Sequence, residues 1–253
     1  MQQFEQIPSD FEILKDKPKR LFFQGNRALL NRPKVSIVGS RHPISYTKQL
    51  CQRLAHALSK RGVCVVSGAA MGVDALAHRS AFPNTIAVMA NSLDIVYPKV
   101  NMALIKDMER ASLLLSEYES NTKATRYSFV VRNRLVVALG DILVVAEADL
   151  NSGSMRSVEI AQKLGKKIYV FPHRLQESLG TNALLEKNEA TAIYDIEAFA
   201  DQFGTVSEDG DALVRFCKTH DVFDDFFEKF GTDIYEYELE GRIEIKDMKV
   251  VLK

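Results

Sequence analysis

The sequence lacks most of the motifs on which common enzymes are built. Its three cysteines, Cys51, Cys64 and Cys217, are odd in number and scattered without metal-ligand spacing. They read as buried thiols of a reducing cytoplasm, not as a disulfide framework or a zinc site. The five histidines stand apart, and HExxH does not occur. No GK[ST] follows a glycine loop, which excludes a Walker A nucleotide site. No serine sits in a nucleophile elbow, and no paired carboxylates flank the glycine loops. Neither a metal nor a cofactor is expected. No apolar run approaches the length of a membrane span, and the opening MQQFEQIPSDFE is polar and acidic, unlike a secretory leader. Net charge is missing as well, because 33 basic and 33 acidic side chains cancel.

That cancellation hides an asymmetry. Thr205 to Lys253 holds 13 acidic and 7 basic residues, leaving 20 acidic and 26 basic ahead of it. The body is therefore about +6 and the tail about −6, which bears on partners, not on fold. At 253 residues, 46% hydrophobic and 26% charged, the chain suits one large domain or a large and a small one, with a sizeable core.

Short β-rich apolar runs alternate with helical patterns. Candidate strands cover 34–39, 63–67, 85–90, 112–116, 142–147, 168–172 and 190–194. Most are continuously apolar, as strands buried on both faces of a parallel sheet are. Amphipathic stretches such as 45–60 and 154–164 lie between them. The expectation is an α/β, doubly wound, mostly parallel sheet, with ligands beyond the carboxyl ends of its strands. This body covers 1–204, with 1–31 as an N-terminal extension. The acidic GTVSEDGD reads as a linker at 205–210. Helical patterns at 212–218, 223–230 and 233–239 precede GRIEIKDMKVVL, which suggests an acidic winged-helix domain at 211–253. Phe223, Phe226, Phe227 and Phe230 sit there at helical spacing, favouring that domain's own core over an exposed contact.

Four loops follow strands. In GSRHP, Gly39 allows close backbone approach, Ser40 offers a hydroxyl, and Arg41 suits bidentate phosphate binding, or is a surface arginine beside a turn. In VVSGAAMGVDALAH, Ser67, Gly68 and Gly72 would present backbone N–H groups to an anion at a helix N-terminus. Asp74 and His78, four apart, favour a structural pair over a catalytic dyad. In NTKATRYSFVVRNRLVVALG, Lys123, Arg126, Arg132 and Arg134 meet no acidic residue, and Tyr127 and Phe129 are interleaved. Cations along a backbone with aromatic platforms suit single-stranded nucleic acid. Phe129, Arg132 and Asn133 share a helix face, although Phe129 also reads as core and Arg134 as an internal ion pair. In NSGSMRS, Ser152, Gly153 and Ser154 open another helix and form a second anion nest.

Together VSIVGSRHP, VVSGAAMGVDALAH, IAVMANSLDIVYPKVN, LLLSEYE, SFVVRNRLVVALGDILVVAEADLNSGSM, FPHRL and GTNALLEKNEA resemble the DNA-processing protein A family (DprA, also called Smf). The resemblance implies an extended Rossmann-like body, homodimers, and binding of single-stranded DNA with weaker binding of duplex. It also implies protection of incoming DNA during natural transformation and loading of the RecA recombinase. By position, Arg41 and Arg126 would clamp phosphates and Phe129 would stack on a base. Gly39, Ser40, Ser67 and Gly68 would line the groove. A rival from another class is a Rossmann-like phosphoribohydrolase, which carries PGGxGTxxE; here LNSGSMRSVE lacks the double glycine and the threonine. A pure protein adaptor is disfavoured by the clustered arginines.

Overall fold

A computed structural model of the chain describes residues 1–206, 216–217, 219–239 and 243–252. Two compact units result, Met1–Gly204 and Thr205–Lys253. Among the described residues no helix is long and apolar enough to cross a membrane.

The large unit is built on nine strands: β1 Gln2–Gln3, β2 Phe22–Gly25, β3 Lys34–Val38, β4 Cys64–Ser67, β5 Thr85–Val88, β6 Leu113–Ser116, β7 Ile142–Val145, β8 Ile168–Val170 and β9 Thr191–Ala192. They lie in the order β1-β2-β6-β5-β4-β3-β7-β8-β9. All pairings from β6 across to β9 are parallel, while β2 pairs antiparallel with β6 and β1 with β2. Every residue of β3 to β7 is buried. Successive side chains enter opposite layers, as the pleat requires. Val35, Ile37, Val65, Ile142 and Val144 pack against α1 (Ser45–Lys60), α2 (Val73–Ala81) and α7 (Ile196–Ala200). Val38, Cys64, Val66, Leu143 and Val145 pack against α4 (Arg126–Leu139) and α5 (Gly153–Lys163). Elements α3 (Met102–Ala111) and α6 (Leu179–Glu186) complete the helices of this unit. Polar groups inside the strands find partners: Ser36 Oγ donates to the Val136 carbonyl at 2.6 Å, and Thr85 Oγ1 to that of Val65 at 2.7 Å.

The first 31 residues belong to this body, since Phe11, Leu21 and Leu29 join the layer under α4. Strand β2 there was not anticipated. Its antiparallel place and exposed end give the short run FFQG only half the signature of a core strand. At the opposite edge, the run expected at 190–194 shortens to Thr191–Ala192, where one side of the backbone has no ladder partner.

In the small unit, helices Phe223–Phe230 and Asp233–Leu239 precede an antiparallel hairpin, Ile243–Lys246 with Lys249–Leu252. Phe226, Ile234, Ile243 and Val250 form its core, with Phe216, Phe223 and Phe230 packed against them. Of the four spaced phenylalanines, Phe226 is a core residue and Phe223 and Phe230 pack half-buried against that core. Phe227 is half-exposed and lies against Phe223 and Tyr235. Most of the expected linker and of the helix at 212–218 falls outside the described residues.

Candidate functional site

The chain reverses its travel across the sheet at β3. From β3 it steps through β4 and β5 to β6, then returns to place β7, β8 and β9 on the other side. Loops leaving β3 and β7 therefore diverge and open a crevice beyond the strand ends. A cleft of about 610 Å³ occupies it. Gly39, Ser40 and Arg41 line it from β3, and Asp149, Ser152, Gly153 and Ser154 from the loop after β7. Arg126, Phe129, Arg132 and Asn133 line it from α4. Three segments far apart in sequence thus meet at one wall. Lys123 is exposed and is not part of this lining, and Gly68 lines a smaller hollow that shares Arg41, Tyr97 and Phe129 with the cleft.

Helix α4 begins at a capping box. The Thr125 hydroxyl accepts from the Ser128 N–H at 3.1 Å, and the Ser128 hydroxyl from the Thr125 N–H at 2.8 Å. This fixes Arg126 in the first turn, exposed and with no acidic residue beside it. Phe129 follows and is half-buried. The Arg41 guanidinium carbon lies 5.3 Å and that of Arg132 6.0 Å from its ring centre. The Tyr97 ring lies 6.0 Å away at 46°. An aromatic face ringed by cations is suited to a stacked planar group that carries negative charge nearby.

Arg132 sits deeper, 4% exposed. Its Nη1 donates to the carbonyls of Gly68 and Val88. Burial lowers its pKa, and the nearby Asp74 carboxylate opposes that shift. A Cβ on Gly68 would run into this guanidinium, so the glycine is a packing requirement. Arg134 forms the expected internal ion pair, 2.6 Å from Glu117.

The glycine loop after β4 departs from expectation. Its N–H groups do not await an anion: those of Gly68 and Ala70 donate to Asp74 Oδ2 at 3.2 and 3.3 Å. The Ala69 N–H donates to His78 Nε2 at 3.2 Å. A side-chain carboxylate holds the place foreseen for a phosphate. Nor do Asp74 and His78 pair with each other; each turns to the loop backbone. Since Nε2 accepts, His78 carries its proton on Nδ1 and donates to Thr85 Oγ1 at 2.7 Å. Burial pushes the His78 pKa down to about 3 and raises that of Asp74, with Arg132 resisting the latter shift. The Ser67 hydroxyl likewise points inward, donating to the Ile37 carbonyl at 2.6 Å.

The anion-friendly terminus is instead that of α5. It has no side-chain cap, the Ser152 hydroxyl is buried without a partner, and space is open around Gly153. Tyr97 and Asp149 complete the walls and were not singled out from sequence. Both stand in loops that follow strands, β5 and β7, so the strand-end rule contained the signal.

A family model described as DNA recombination-mediator protein A matches residues 2–204. DNA processing protein DprA of Streptococcus pneumoniae is 35% identical over 175 residues, 68% of this chain and 62% of that protein. DprA of Bacillus subtilis is 30% identical over 198 residues, 76% of this chain and 67% of its own. This chain thus spans less than two thirds of the streptococcal relative. Among solved structures, DNA processing protein A from Helicobacter pylori, described for its single-stranded DNA binding mode, is 46% identical. It aligns with a TM-score of 0.78 over 79% of this chain and 94% of that one. The streptococcal DprA structure aligns with a TM-score of 0.73 at 32% identity, over 79% and 71% of the two chains.

Proposed function

Because this chain belongs to the DNA recombination-mediator protein A family, we propose that its cleft binds single-stranded DNA, with weaker affinity for duplex, in the handling of DNA taken up during transformation. Protection of the incoming strand, loading of the RecA recombinase and action as a homodimer are parts of the same proposal. The observation that carries it is the convergence of Arg41, Arg126 and Phe129 on one cleft at the strand-reversal crevice, with the Arg41 guanidinium beside the Phe129 ring. The two exposed guanidinium groups clamp phosphates bidentately, and Phe129 stacks on a base. The uncapped start of α5, with Ser152 and Ser154, receives a further phosphate through N–H and hydroxyl donors. Asn133 sits on the same wall to meet base or sugar edges, and the exposed Lys123 adds charge just ahead of α4. Ser40 lines the floor beside Arg41, and Gly39 is needed there for packing, since a Cβ on it would run into the Val73 side chain. Arg132 acts indirectly, holding Phe129 and the Gly68 loop in place.

The role is binding without turnover. Asp74 spends its carboxylate on the glycine loop, which gives it a structural duty at the cleft. A polarisation titration with oligo-dT across salt tests the reading. The log of affinity should fall with log salt at about −0.7 per phosphate neutralised. A flat dependence, or no binding at low salt, would overturn it.

A further inference from the structure

We infer that a second base-stacking platform, centred on Tyr46, extends the single-strand track beyond the cleft; the inference rests on the proposed DNA-binding reading. A groove of about 560 Å³ runs past the start of α1, lined by Ile44, Tyr46, Pro172, His173, Arg174 and Glu177. One short loop links it to the cleft. Arg41 stands on the cleft wall, and five residues later Tyr46 stands in the groove. The Glu147 side chain braces that loop by accepting from the Ile44 N–H at 3.0 Å.

The Tyr46 ring is 44% exposed yet fixed. Its hydroxyl donates to the Pro172 carbonyl at 3.1 Å, and the His173 ring meets it edge-on, 5.6 Å between centres at 84°. His173 is held at both nitrogens: Nδ1 donates to the Phe171 carbonyl at 2.9 Å, and Nε2 lies 3.0 Å from the Thr47 hydroxyl. A ring pinned this way gives up little freedom when a base stacks on it, as a preorganised contact should. Arg174 is exposed on the same wall. Glu177 balances its charge, so this groove contributes stacking and little release of counterions. Its occupant is thus a base of a strand whose phosphates are held in the cleft, and not an independent anion.

The chain contains no tryptophan, so Tyr46→Trp places a lone indole, excited selectively at the red edge, at the platform, and Phe129→Trp one in the cleft. Both proteins are titrated with dT12, and the wild type is followed by polarisation. Quenching in both variants is expected. Tyr46→Ala should weaken dT12 binding roughly 5- to 100-fold without changing the salt slope, and Tyr46→Phe should lose far less, since stacking needs the ring and the hydroxyl only steadies it. Quenching at position 129 with none at 46, or equal dT12 affinity for Tyr46→Ala and wild type, would overturn the inference while leaving the cleft reading standing. Failure of the wild type to bind dT12 would overturn both.

Discussion

Two arginines six residues apart on α4 have opposite duties. Arg126 is exposed at the first turn, so Arg126→Ala should leave the melting temperature nearly unchanged, weaken oligo-dT binding and flatten the salt slope by about one ion. Phe129→Ala should cost about 1–3 kcal/mol of binding with the slope intact, because a stacked base releases few ions. Arg132 reports on folding. Its removal strips two backbone carbonyls of their donor and leaves Asp74 without its nearby cation. Arg132→Ala should therefore destabilise by about 3 kcal/mol or more, read as a denaturation midpoint. His78 supplies a pH dependence. The unfolded chain protonates this residue near its ordinary pKa of 6.5, while the folded chain resists down to about 3. Stability present at neutral pH is thus lost as pH falls between those values, by up to about 1.4 kcal/mol per pH unit. His78→Gln should lie flatter than wild type over that window when unfolding is measured against pH. Equal slopes would show that His78 is already protonated in the folded state.

At the scale of elements, legibility followed burial. Continuous apolar runs betrayed the central parallel strands, and 45–60 matched α1 at both ends, because periodicity there has no competitor. Edge strands were poorly legible: β2 and β9 have one unpaired side or a polar end, so neither continuity nor alternation develops. The cleft followed from the rule that ligands gather past strand ends, which brought GSRHP, α4 and NSGSM together. Side-chain direction did not follow from that rule. Ser67 ends a strand and its pleat turns it inward; Arg132 shares a helical face with Phe129 but sits one turn deeper. The glycine loop misled for a physical reason. Small residues at a strand–helix turn serve an anion or an internal carboxylate equally well, and only Asp74's approach to Gly68 and Ala70 distinguishes them.

At the scale of the whole molecule, the large unit carries the candidate site by itself. The small unit is acidic, and its described helices carry Asp224, Asp225, Glu228 and Asp233. Truncation after Phe203 should retain affinity for single strands, since the removed segment opposes phosphate by Coulomb repulsion. A large loss for single and double strands alike, with the body still folded, would show that the small unit reads DNA. The opposed charges, about +6 and −6, also give each molecule one basic and one acidic unit despite its formal neutrality. Copies in dilute buffer should therefore attract one another, the acidic unit of one to the basic unit of the next. Static light scattering should return a negative second virial coefficient near pH 7 at about 0.01 M salt, where screening reaches about 30 Å. The coefficient should climb towards zero at about 0.15 M, where screening shrinks to about 8 Å. The truncated body, left with a net charge of about +6, should repel itself under the same conditions. Single-stranded DNA and a second copy of the chain would then compete for the same positive surface at low ionic strength, and solutions of the protein alone should clear when oligonucleotide is added.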